Sequence, residues 1–200
     1  MISLAKQIES RMRQAPDDVF FPADFFDIGE PLGVNKILSR MVQNEQAWRL
    51  ARGMYAFYSM SEFGKALAYT GSLAASWAKK NGVVISEIGA AAANILGFST
   101  QNVIKEIYLT SAKPMTWRLK ARTVEFRKGT KVEMLFGNTL EGKLVRAWQY
   151  MGEAESVDTF HLLNNEAALF INWDAIINAQ GNLPVWMSAL ARKCKFNRWG

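Results

Sequence analysis

The sequence predicts an α+β fold in two parts, a small helical N-terminal domain closing on a hairpin (residues 1–58) and a larger mixed α/β domain (residues 59–200). Three observations predict it. Val34, Ile37, Leu38, Met41 and Val42 fall at i, i+3, i+4, i+7 and i+8, which marks one core-facing helix. That stripe gives way to "AWRLARGMYAFY", Ala47 to Tyr58, where apolar and basic residues alternate around Arg52-Gly53 with the period of a strand. Beyond residue 61, helical stripes alternate with short strand-like runs.

The first helix starts after Ser3, a side chain suited to capping, and carries Leu4, Ile8 and Met12 before Pro16 ends it. Val19 to Phe21 are extended because a residue before proline avoids the helical region. Pro22 then opens a two-turn helix that Gly29 ends, and Pro31 opens the third helix. Opposite the apolar stripe of that third helix lie Asn35, Lys36, Ser39, Arg40 and Gln43, with Leu32 beside them at the start. In the hairpin, Trp48 and Leu50 point one way and Arg49 the other, and Gly53 supplies the freedom for the turn. Helix, short helix, striped helix and basic hairpin, in that order, describe a winged helix-turn-helix, in which the hairpin lays a second contact on DNA. The candidate DNA-binding residues are therefore Leu32, Asn35, Lys36, Ser39, Arg40, Arg49 and Arg52. A solvated polar face with no partner is the plainer alternative.

In the second part, a long helix is expected from Ser61 through Trp77 to Gly82, followed by a strand "VVIS". The alanine-rich stretch Ile88 to Leu96 reads as a compact helix closed by Gly97, its small side chains implying close packing against a neighbour. "VIKEIYLT" reads as a strand and "WRLKARTVEFRK" as a second basic hairpin with Trp117, Leu119, Val124 and Phe126 facing a core. Arg118, Lys120, Arg122, Arg127 and Lys128 of that hairpin form a second candidate surface, for nucleic acid or an acidic partner. Leu140, Leu144, Ala147, Trp148 and Met151 mark another helix, and "EAALFINWDAIINAQG" and "LPVWMSALARK" supply two more.

Composition narrows the function classes. With 200 residues, half of them hydrophobic, the chain can bury a real core. It has no apolar run near the ~20 residues that cross a bilayer, and "MISLAKQIESRMRQ" puts charges where a signal peptide has its apolar centre, so no membrane contact and a cytoplasmic location are expected. Cys194 and His161 are the only residues of their types, and phosphate-cradling glycine motifs are missing. Metal, cofactor and nucleophilic chemistry are poorly supplied, and no enzyme is expected. The net charge of +6 suits a nucleic-acid partner. Residues 1–57 carry seven basic and seven acidic side chains, so the excess lies in Lys113 to Lys131 and after Pro184.

Several blocks also carry a family resemblance. "ILSRMVQNEQAWRLARGMY" resembles the helix-plus-wing segment of AbiEi-type antitoxins. "GAAAANILGFSTQNVIKEIYLTSAK", "RTVEFRK" and "LEGKLVRAWQYMG" are similar to later blocks of that family in order and spacing, over Leu4 to Gly152. Two departures are Asn44-Glu45-Gln46 in place of a glycine-containing turn, and an exit "AFYSMSEFGK" without the usual proline. The resemblance implies an antitoxin of a type IV toxin-antitoxin, phage-defence pair. Such a protein represses its own operon through inverted repeats and counters a nucleotidyltransferase-like toxin without needing a stable complex with it. Inverted repeats would take two copies of the chain. The competing expectation, favoured by the neutrality of residues 1–57, is a docking or accessory subunit of a phage-defence or mobile-element complex.

Overall fold

The computed structural model describes residues 2–62, 64–101, 105–119, 122–159, 161 and 169–196. Lys120, the start of "VIKEIYLT" and Arg198 lie outside the described residues. The chain is α+β and forms two compact units, Met1–Val83 with Thr116–Val124, and Val84–Met115 with Glu125–Gly200. The expected boundary after residue 58 falls inside a continuous strand, so the division comes later.

In the first unit, α1 (Leu4–Gln14) buries Ile8 and Met12 completely. The short strand β1 (Val19–Phe20) follows. The expected two-turn helix after Pro22 is instead a single 3-10 turn, Pro22–Phe25. Its bonds run from i+3 to i, Asp24 N–H to Phe21 O and Phe26 N–H to Ala23 O, and the Asp24 carboxylate accepts the Phe21 N–H at 3.0 Å. α2 (Pro31–Gln43) packs Val34, Leu38 and Met41 with Phe20, Phe25 and α1. The link to the hairpin passes through Glu45 at φ +53, the conformation that a glycine would adopt without strain.

β2 (Ala47–Ala51) and β3 (Met54–Ser61) pair antiparallel around Arg52 and Gly53 (φ +72), with a register shift between Arg49 and Ala51. β1 pairs the other edge of β3, Val19 opposite Ala56, giving the order β1-β3-β2. The expected helix from Ser61 does not form before residue 70. β3 outruns β1 and β2, and its open end is paired by β4 (Gly64–Leu67), Tyr58 opposite Leu67. Gly64 sits at φ +100, outside the helical region. The helix proper is α3 (Thr70–Asn81), closed by Gly82 in the left-handed conformation.

The second unit contains β5 (Ile85–Glu87), α4 (Gly89–Ile95) and β6 (Glu106–Thr110). The hairpin β7 (Met115–Arg118) and β8 (Thr123–Lys128) completes a sheet of order β5-β6-β8-β7, although its tip, 116–124, counts with the first unit. α5 (Leu140–Met151) lies against α4 so closely that a Cβ on Gly89 would stand 2.6 Å from both the Arg146 carbonyl oxygen and Tyr150 Cβ. Ala92, Ala93, Leu144 and Ala147 have no exposed surface, as the alanine-rich stretch implied. α6 (Glu153–Thr159), not expected from sequence, follows. In "EAALFINWDAIINAQG", 166–168 lie outside the described residues, and Ile171 and Asn172 are non-helical. Asn172 caps α7 (Trp173–Asn178) by accepting the Ala175 N–H at 3.1 Å, while its own N–H is taken by Glu141 at 2.7 Å. α8 (Val185–Phe196) packs Met187 and Leu190 into the same core. No helix among the described residues is long and apolar enough to cross a membrane.

Arg146 is a charged residue inside this core, 1% exposed. Its Nη1 donates to the carbonyls of Glu133 (3.1 Å) and Gly137 (2.7 Å), and its Nη2 to Glu87 Oε2 at 3.3 Å. Burial depresses its pKa, partly offset by Glu87. The Gly89→Ala variant should lose about 1–3 kcal/mol of stability in urea unfolding, because one of the atoms that its methyl group meets is backbone and cannot turn aside.

Candidate nucleic-acid interface

At 100° per residue, burying Val34, Leu38 and Met41 turns the opposite side of α2 outward. Leu32, Asn35, Lys36, Ser39 and Arg40 are all exposed, Leu32 by 87%. The Asn35 amide donates to the Pro31 carbonyl at 2.8 Å and keeps its other N–H and its oxygen free for a ligand. Among the described residues neither Lys36 nor Arg40 has an ion-pair partner. Arg49 and Arg52, on the hairpin that follows, are likewise exposed and unpaired among the described residues. Ala47, Tyr55 and Phe57 pack the hairpin onto the same core as α2, so both groups of side chains are referenced to one buried cluster.

The acidic side chains of the first unit are mostly occupied elsewhere. Arg11 donates to both oxygens of Asp27, at 2.8 and 2.7 Å, and to the Asp24 carbonyl at 2.6 Å. The Asp27 hydrogen bond holds the Arg11 guanidinium above its ordinary pKa, and Arg11 holds the Asp27 carboxyl below the usual carboxylate range. Lys80 pairs with Asp24 at 3.0 Å, Arg13 with Glu9 at 2.5 Å, and the Ser76 hydroxyl donates to Asp18. Of the seven basic side chains in residues 1–57, Arg11 and Arg13 hold acids, whereas Lys36, Arg40, Arg49 and Arg52 form no ion pair among the described residues.

The cations of the second basic hairpin are divided between the two units. Arg118 and Arg122, both exposed, belong to the tip that counts with the first unit, whereas Arg127 and Lys128 belong to the second. Arg127 is paired with Glu125 at 2.7 Å, and Lys128 donates to the Ser111 carbonyl. Arg118 and Leu119 line a recess of about 320 Å³ together with Val42, Glu45, Trp48, Arg49, Tyr58 and Lys65. Lys65 is a residue that sequence reasoning missed, because it was placed on a helix. On β4 its ammonium lies 4.6 Å from the centre of the Tyr58 ring.

Over residues 4–164 the chain matches a family of unknown function, DUF6088. The chain belongs to the DUF6088 family. That match takes in the whole of α2, both hairpins and α5. Neither the characterised proteins nor the solved structures compared with the chain give a match.

The lone cysteine has no activating partner near it among the described residues. Burial in α8 pushes the Cys194 thiol up to about 11, so it is un-ionised at neutral pH. Native protein at pH 8 should therefore react with a maleimide at least tenfold more slowly than unfolded protein, whose thiol has a pKa of about 8.5. Equal rates, read by mass spectrometry, would contradict the burial of this side chain.

Proposed function

We propose that this DUF6088 protein is a non-enzymatic DNA-binding autorepressor and the antitoxin of a type IV toxin-antitoxin operon. On this reading the first unit is a winged helix-turn-helix, with α2 as the reading helix and the β2–β3 hairpin as the wing. One observation carries it. The polar face of α2 stands outward with its cations unpaired, on the same buried cluster as a hairpin bearing two more unpaired arginines.

The chemistry fits duplex DNA. An α-helix about 10–12 Å across fits a major groove of about 12 Å. Asn35 can pair with adenine, Lys36 and Arg40 with guanine, and Leu32 can meet a thymine methyl. Ser39 and Arg49 suit phosphate, and Arg52 suits phosphate or the minor groove. The antitoxin half of the proposal rests on the likeness of Ile37–Tyr55 and Gly89–Lys113 to AbiEi-type antitoxins. It makes a nucleotidyltransferase-like toxin the functional partner, and inverted repeats would bring two copies onto one operator.

Fluorescence anisotropy on the DNA upstream of the protein's own gene tests the reading. The Lys36→Ala, Arg40→Ala double variant should lose operator preference by about 1–3 kcal/mol per base contact removed. Arg52→Ala should weaken every duplex alike and reduce the log–log salt slope by about one unit. Undiminished preference in the double variant, or a stable co-purifying protein with no duplex binding, would favour a docking role instead.

A further inference from the structure

Three arginines from two distant stretches of chain meet within the first unit. Arg49 and Arg52 come from the β2–β3 hairpin and Arg118 from the end of β7. With Leu50, Ala51 and Thr116 they line one open recess of about 330 Å³. Arg49 and Arg118 also border the neighbouring recess that contains Lys65.

No carboxylate lines the three-arginine recess itself, although Glu45 borders the neighbouring one, and none of the three guanidinium groups has an ion-pair or hydrogen-bond partner among the described residues. Other basic side chains are matched, since Arg11, Arg13, Lys80 and Arg127 each hold an acid. Like charges gathered on a surface without a counter-charge repel one another, and an anion entering the recess would relieve that repulsion. A guanidinium offers a planar fork of donors, which matches the two non-bridging oxygens of a phosphodiester. Leu50 and Ala51 add no polar side-chain group that could tell one base from another.

The geometry points to a phosphodiester site in which the tip of the second hairpin joins the wing. Arg118 holds the duplex backbone beside the contact made by Arg49 and Arg52. This deepens the operator reading and rests on it. The site adds affinity without sequence preference and extends the footprint beyond the wing.

The test uses the full chain, with Arg118→Gln to remove the charge and Arg118→Lys to keep it. Each is titrated against the upstream duplex and a scrambled duplex of equal length over a range of salt. Arg118 is exposed, so far-UV circular dichroism and Tm should match the wild type. Arg118→Gln should weaken both duplexes by the same factor, roughly three- to tenfold near 0.15 M salt. Its log–log salt slope should fall by about 0.9, while Arg118→Lys keeps the wild-type slope.

Unchanged affinity and slope in Arg118→Gln would overturn the site, and so would an effect confined to the upstream duplex, which would mean base reading. If the wild type binds both duplexes equally and Arg118→Gln lowers both, the operator reading fails while this site stands. A wild type that binds neither duplex overturns both.

Discussion

The burial of three side chains on one side of α2 is the constraint from which the rest of the first unit follows. Val34 and Leu38 are fully enclosed and Met41 nearly so. Each contributes on the order of 2 kcal/mol through removal of apolar surface, against about 1 kcal/mol or less for an exposed ion pair. The rotation of the helix about its axis is therefore set by its apolar stripe and not by its charges. Leu32, Asn35, Lys36, Ser39 and Arg40 face outward because the geometry of a helix leaves them nowhere else to go. The hairpin inherits the same reference frame, since Ala47, Tyr55 and Phe57 complete the cluster that Val34 and Leu38 occupy.

Charge then distributes itself on a scaffold already fixed. The Arg11 fork joins α1 to the segment leading into α2, and the cation lies 5.7 Å from the centre of the Phe25 ring. As an exposed pair it adds little to stability, but it engages the Asp27 carboxylate four residues before Pro31. Lys80 does the same for Asp24 from α3. A segment that is neutral in sequence thus has several of its acids paired while the cations of α2 and its hairpin are not.

What could be read from the sequence followed the strength of its periodic signals. The stripe on α2, the Arg52-Gly53 turn and the helix stops at Gly82 and Gly152 were all legible, because each depends on residues within one or two turns of chain. The strand β4 was not. Its apolar positions, Ala66 and Leu67, run on into those of α3, and the reason that they pair with β3 is a vacant strand edge, which no local pattern records. Likewise the cap of α7 at Asn172 is held in part by Glu141, 31 positions earlier, which accepts that residue's N–H. Arg146 sits inside a helix that was correctly anticipated, yet its role as a staple for the turns at 133 and 137 depends on contacts invisible in one dimension. The same holds for the candidate site. The outward placement of the polar residues of α2 followed from its stripe, whereas the meeting of Arg118 with Arg49 and Arg52 was not legible.

The discontinuity of the first unit bears on how the protein is made. Its last piece, 116–124, is translated about 40 residues after Val83, which at about 5–20 residues per second is a delay of several seconds. During that interval α2 and its neighbours are already synthesised, but Leu50, almost wholly buried in the finished chain, lacks the segment with which it shares a recess. The first unit is therefore completed late in synthesis. It matures only after β5, α4 and β6 of the other unit have been synthesised.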